Sequence, residues 1–124
     1  MLTQNLFTLL KNANGSKVIN ISARVGSISD NRLGGWYSYR MSKAALNMFT
    51  KTMSLESKRY KILIISLHPG TTDTDLSKPF QKNVTPEKLF SVEYSVNKML
   101  NVIENLTIDS TGGFFAYDGS KIEY

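Results

Sequence analysis

Trp36-Tyr37-Ser38-Tyr39-Arg40-Met41-Ser42-Lys43-Ala44-Ala45-Leu46-Asn47-Met48-Phe49-Thr50 lies within a long amphipathic helix. From Trp36 or Tyr37 to about Ser57, apolar positions recur at three and four: Met41, Ala44, Ala45, Met48, Phe49, Thr52 and Met53. The Ala-rich middle allows close approach by a strand or a second helix. On this helix Tyr39 and Lys43 stand at i and i+4, on one face, about 5–6 Å apart at Cβ. An ammonium beside a phenol favours phenolate and lowers its pKa, which suits Tyr39 to moving a proton at a carbonyl or alcohol oxygen. Two other pairs, Tyr94/Lys98 and Tyr117/Lys121, repeat the spacing, so context must choose among them. Tyr117 runs into Asp118-Gly119-Ser120, a turn. Tyr94 and Lys98 sit on a helix with no serine-bearing strand end or glycine run shortly before it.

Ahead of the helix, residues 23–35 hold three glycines, two serines, Asp30 and Asn31, the composition of a surface loop. Before that loop, Lys17-Val18-Ile19-Asn20-Ile21-Ser22 is a β-branched run read as a buried strand. Residues 2–11 place Leu2, Leu6, Phe7, Leu9 and Leu10 at helical spacing without a preceding N-cap, as if the chain began in mid-helix. Gly15 is a natural stop for that helix.

Beyond the central helix, Lys61-Ile62-Leu63-Ile64-Ile65-Ser66-Leu67 is too apolar to be anything but an interior strand, closed by His68-Pro69-Gly70. A polar loop follows from Thr71 to Val84. Thr85-Pro86-Glu87 offers one helix start, and Ser91-Val92-Glu93-Tyr94 a second, with Val96, Met99, Leu100, Ile103 and Leu106 as its apolar stripe. After Gly112-Gly113, Phe114–Tyr117 reads as a third short strand. Helices alternating with strands predict an α/β fold with crossover helices and a parallel sheet, and loops at the carboxyl ends of such strands are where ligands bind.

At 124 residues the chain is one domain at most. With 41% hydrophobic and 20% charged residues it is not disordered. It lacks both a long apolar span and a leader-like N-terminus, so a cytoplasmic protein is the expectation, with no membrane partner. The absence of cysteine and the single histidine, His68, argue against a metal centre. The net charge of +5 is scattered, without the basic and aromatic interleaving of a nucleic-acid groove, so no nucleic-acid partner is expected.

Val18–Ser22, Gly26-Ser27-Ile28, Asn31, Gly34 to Asn47, Ser66-Leu67-His68-Pro69-Gly70 and Thr74-Asp75, in this order and spacing, resemble the C-terminal half of a short-chain dehydrogenase/reductase. Within that family the chain is similar to the C-factor and sniffer-like carbonyl reductase branch. The resemblance implies a three-layer Rossmann-like fold, truncated to about three parallel strands, with residues 1–124 forming a single partial domain. It implies NAD or NADP as cofactor and a small carbonyl or alcohol substrate. Tyr39 matches the catalytic tyrosine, which exchanges a proton with the substrate oxygen. Lys43 matches the lysine that lowers the tyrosine pKa and bonds the nicotinamide ribose, and its three donors suit both tasks. Pro69 and Gly70 match the turn bordering the nicotinamide, and Thr72 and Thr74 fall in the cofactor-binding segment after it.

The family's catalytic serine falls at Ala23 here. Ser22 or, as its rival, Ser27 is the expected substitute, although a regular strand would point Ser22 away from the face that Ala23 occupies. The family's Gly-rich turn, which receives the cofactor pyrophosphate at a helix N-terminus, has no counterpart in this sequence. The family's first strands would then be missing, and the first strand here would lack its inner neighbour. An open edge of that kind invites pairing with another chain. A homo-oligomer is therefore expected, in the family's manner through the Tyr39 helix and the helix before the first strand. A non-catalytic remnant serving as a dimerisation or interaction module is the alternative reading. Trp36 either lines a substrate pocket or packs the loop onto the helix, and Arg40 and Ser42 are expected to face away from the site. Substrate identity rests on the loop from Thr71 to Val84 and the helix after it.

Overall fold

The computed structural model describes residues 2–124. Eight regular elements follow one another: α1 (Leu2–Asn12), β1 (Lys17–Ile21), α2 (Tyr37–Ser57), β2 (Leu63–His68), β3 (Thr71–Thr72), β4 (Leu89–Phe90), α3 (Val92–Asn105) and β5 (Phe114–Ala116). The main sheet is parallel in the order β1-β2-β5, with Ile21 opposite Leu67 and Leu67 opposite Phe115. Strand alternation sends successive β2 side chains to opposite faces. Ile64 and the preceding Ile62 meet Phe7 and Leu10 of α1 and Phe49 and Met53 of α2. Leu63, Ile65 and Leu67 meet Met99, Val102 and Ile103 of α3 and Leu106 just after it. The result is the expected three-layer α/β arrangement, a truncated Rossmann-like fold.

Four details differ from the sequence expectations. First, β1 is only half-buried, because β2 covers one of its edges and, among the described residues, no strand covers the other. Second, the face that α2 turns to the sheet is largely polar, with Asn47, Thr50, Ser54 and Ser57 buried beside Met53. Thr50 Oγ1 accepts hydrogen bonds from Asn20 Nδ2 and Ser66 Oγ, both at 2.9 Å, and donates to the Leu46 carbonyl. Small hydroxyl side chains bring helix and strand close while satisfying each other. The methionines expected inside, Met41 and Met48, lie instead on the outer face.

Third, the loop from Thr71 to Val84 begins as β3, which pairs in parallel with β4. The helix start read at Thr85 is a single 3-10 turn, Pro86–Lys88. The start read at Ser91 holds: its side chain accepts the Tyr94 N–H and caps α3. The buried side of α3 runs through Ser95, Met99 and Ile103, leaving Val96 and Leu100 exposed. Fourth, the chain turns after β5 at Asp118-Gly119-Ser120 and returns antiparallel along the outer side of β5, burying Ile122. The Asp118 carboxyl accepts from the Ser120 hydroxyl and N–H, which hold it below the usual carboxylate range.

Candidate active site

Strand β1 ends at Ile21, and the chain runs through Ser22-Ala23 into a 3-10 turn, Arg24–Gly26, laid against α2. Gly26 permits this approach: a Cβ there would lie 2.7 Å from the Lys43 Cβ and 2.8 Å from the Lys43 carbonyl carbon. Asn47, one turn beyond Lys43, fixes the contact by accepting from Ser22 Oγ at 2.7 Å and donating to the Gly26 carbonyl at 3.3 Å. The backing of Lys43 is thus rigid and buried.

On the solvent side, the Lys43 ammonium lies 5.8 Å from the centroid of the Tyr39 ring, so both share one helix face. Tyr94 and Lys98 reach the same geometry at 5.6 Å, so an aromatic and an ammonium in proximity are not distinctive. What sets Lys43 apart is its donor bond of 3.0 Å to the Ile21 carbonyl, the last of β1. That bond ties the pair to the carboxyl end of the parallel sheet. Tyr39 differs from expectation in one respect: partial burial holds its phenol above the ordinary tyrosine value rather than below it. Desolvation disfavours the phenolate, and the ammonium that was to favour it is drawn to the backbone.

Ser22 and Ser27 are both buried, and both hydroxyls are engaged. Ser22 donates to Asn47, while Ser27 donates to the Glu123 carbonyl at 2.5 Å and accepts the Asp30 N–H. Ser29 donates to the Tyr124 carbonyl, and Tyr124 donates its hydroxyl to Gly112, so the returning C-terminal segment straps this loop. The Pro69-Gly70 bend lies two residues beyond Leu67, whose carbonyl accepts the Ser22 N–H, so both strand ends open on the same side of the sheet. Gly70 has φ of 80°, and a Cβ there would strike the Phe90 ring at 2.6 Å. Only glycine fits that bend.

The threonines after the bend serve the loop itself. Thr72 Oγ1 donates to Ser95 Oγ at 3.1 Å, and Ser95 donates to the Pro69 carbonyl at 2.7 Å. Thr74 Oγ1 accepts from the Ser77 N–H in an exposed turn. His68 sits beside this region with its Nδ1 buried and without a partner. Its pKa is lowered to about 4, chiefly by desolvation and then by the Arg24 guanidinium, against a smaller opposing pull from Asp118. Arg40 turns to the loop, where its guanidinium bonds the Gly34, Gly35 and Val25 carbonyls. Two glycines shortly before an arginine were the available signal, but their carbonyls carry no side-chain pattern.

The short chain dehydrogenase family profile matches residues 1–85. The chain belongs to the short-chain dehydrogenase family. Among relatives, C-signal of Myxococcus xanthus is 37% identical over 108 residues, covering 87% of this chain and 61% of that protein. The NADPH-bound carbonyl reductase from chicken fatty liver superposes with a TM-score of 0.88 at 34% identity, over 99% of this chain and 51% of that one. Carbonyl reductase Sniffer of D. melanogaster gives a TM-score of 0.87 at 33% identity, with the same coverages. This short-chain dehydrogenase sequence therefore spans between about half and three-fifths of these relatives' lengths. Among its described residues no helix is long and apolar enough to cross a membrane.

Proposed function

We propose that the chain acts as an NAD(P)-dependent oxidoreductase on a small carbonyl or alcohol substrate, with Tyr39 as general acid/base and Lys43 beside it. The observation that carries this reading is the double placement of Lys43, against the Tyr39 ring and on the terminal carbonyl of β1. It brings a proton carrier and a fixed cation to the carboxyl end of a parallel sheet, where α/β sheets bind ligands. Burial makes the Tyr39 phenol a weaker acid, and the Lys43 ammonium beside its ring is the group placed to ease donation to a carbonyl oxygen.

The residues present fit the nicotinamide-ribose end of the cofactor. Tyr39 and Lys43 offer half-exposed donors there, the Pro69-Gly70 bend supplies a close backbone surface, and Thr72 and Thr74 border it. When bound, the nicotinamide supplies or accepts the hydride. Both serine hydroxyls are engaged elsewhere, so Ser22 retains a role in holding the site through Asn47, and Ser27 through the C-terminal segment. The outer face of α2, with Met41, Met48 and Leu55 each about two-thirds exposed, supports a homo-oligomer through this helix.

Titration with NADH and NADPH, followed by nicotinamide fluorescence, tests the reading and identifies the preferred cofactor. Turnover of a small carbonyl substrate should fall about 10²–10⁴-fold in Tyr39→Phe. A second reading, a non-catalytic interaction module, is favoured by Ala23 at the serine position. It is correct if neither nucleotide binds while the chain self-associates.

A further inference from the structure

On the α3 side of the sheet, across from α2, a cleft of about 420 Å³ runs between α3 and the turn that follows β5. A volume of that order suits a small molecule. The floor is apolar: Val102 and Phe115, with Leu106 at the end of α3, are each half-buried at the margin of the cluster around Ile65. Gly119 brings the turn against the helix, since a Cβ there would lie 3.8 Å from Val102 Cγ2. Helix and strand thus leave apolar area uncovered between them, and a ligand with an apolar group would bury it.

The rim carries one charge of each sign, Lys98 on α3 and Asp118 on the turn. Among the described residues neither has an ion-pair partner. The Lys98 ammonium lies 5.6 Å from the Tyr94 ring centroid, on a flexible stem that can carry it over the cleft. Asp118 is held more firmly. Its Oδ1 accepts from the Ser120 N–H at 3.0 Å and the Ser120 hydroxyl at 2.6 Å, while Oδ2 has no hydrogen bond among the described residues. The Ser120 bonds also keep the carboxyl ionised, with a smaller pull from Arg24, whose own partner is Asp30 at 3.4 Å. Two opposite charges that line one cleft without meeting leave a gap for a ligand that carries both. A lone amine or a lone acid answers only one of them and sets its apolar body against the other.

We propose that this cleft binds a free α-amino acid with an apolar side chain, its carboxylate on Lys98, its ammonium on Asp118 Oδ2 and its side chain over Val102, Leu106 and Phe115. In such a ligand a single carbon carries both charges and the apolar group, which matches a rim of two charges above one apolar floor. The site lies apart from Tyr39 and Lys43, so it stands or falls independently of the oxidoreductase reading.

Backbone amide NMR of the full chain at neutral pH tests the assignment, with phenylalanine as the first probe. It should shift the amides of Val102, Phe115 and Gly119 and leave those of Ser22 and Lys43 in place. Three further probes each lack one element: 2-phenylethylamine the carboxylate, 3-phenylpropionate the ammonium, and alanine the ring. Each should bind at least about fivefold more weakly than phenylalanine. Lys98→Met should reduce the advantage of phenylalanine over 2-phenylethylamine to less than about twofold. Asp118→Asn, which keeps an oxygen for Ser120 to bond, should do the same for its advantage over 3-phenylpropionate. Both side chains are exposed, so both variants should unfold at the parent's midpoint. The proposal is overturned if millimolar phenylalanine leaves the cleft amides unmoved, if any of the three incomplete probes binds as tightly, or if either variant keeps the parent's preferences.

Discussion

Gly26 and His68 each carry a consequence measurable at a single position. A Cβ on Gly26 would meet the Cβ and carbonyl carbon of Lys43 well inside van der Waals contact, and neither belongs to a flexible side-chain tip. Gly26→Ala should therefore cost about 1–3 kcal/mol in urea denaturation, the usual range for overpacking. It should also weaken nucleotide binding, because Lys43 moves with the helix. An unchanged midpoint would show that the loop does not lie against Lys43. His68 is neutral in the fold, with its pKa lowered to about 4 from 6.5, so between these values the unfolded chain binds the additional proton. Its contribution to stability is therefore complete above about pH 6.5 and declines as pH falls toward 4. A shift of this size corresponds to about 3 kcal/mol. Denaturation midpoints at pH 7.5 and 4.5 should diverge in the parent, and the divergence should shrink in His68→Gln. An equal decline in both proteins would assign the acid sensitivity to other groups.

Helix α2 shows which parts of the site a sequence can reveal. Tyr39 and Lys43 were legible because both partners lie within one helical turn, so local spacing fixes their face. The inward face of the same helix was misread, because apolar periodicity assigned Met41 and Met48 to the core. Of the side chains that are buried, Asn47 and Thr50 are satisfied by Asn20, Ser22 and Ser66 on or just after the strands, partners that only the folded sheet brings near, while Ser54 donates to the Lys51 carbonyl of its own helix and Ser57 Oγ is left without a partner. Ser27 was ambiguous for the same reason, since its acceptor is 96 residues away in the chain. Two substitutions should separate the faces of α2. Thr50→Val leaves Asn20 Nδ2 and the buried Ser66 hydroxyl without their acceptor and should destabilise by about 1–3 kcal/mol, read from thermal or urea unfolding. Met48→Glu, on the outer face, should leave the unfolding midpoint of the dissociated chain unchanged while lowering the sedimentation coefficient of any assembly. If Met48→Glu instead unfolds the chain, the outer face is a packing surface of the monomer.

Across the whole molecule, the two sides of the sheet end differently. The outer side of β5 is covered by the returning segment, through Ala116 N–H to Ser120 and Ile122 N–H to Phe114. The outer side of β1 carries no such cover among the described residues. Ser22 donates to Leu67 and Ser16 accepts from Leu63, so even-numbered residues of β1 face β2. Strand alternation then turns the N–H groups of Lys17, Ile19 and Ile21 outward. The Ile21 carbonyl on that edge is taken by Lys43, which couples the candidate site to whatever lies along β1. Hydrogen exchange should resolve the edge amide by amide. In dilute, dissociated protein, Ile19 and Ile21 should exchange rapidly while Val18 and Asn20 are protected. If association proceeds through the outer face of α2, this alternation persists at high concentration. Should Ile19 and Ile21 become protected as the chain associates, the edge of β1 is itself the interface, and Met48→Glu should then leave association intact.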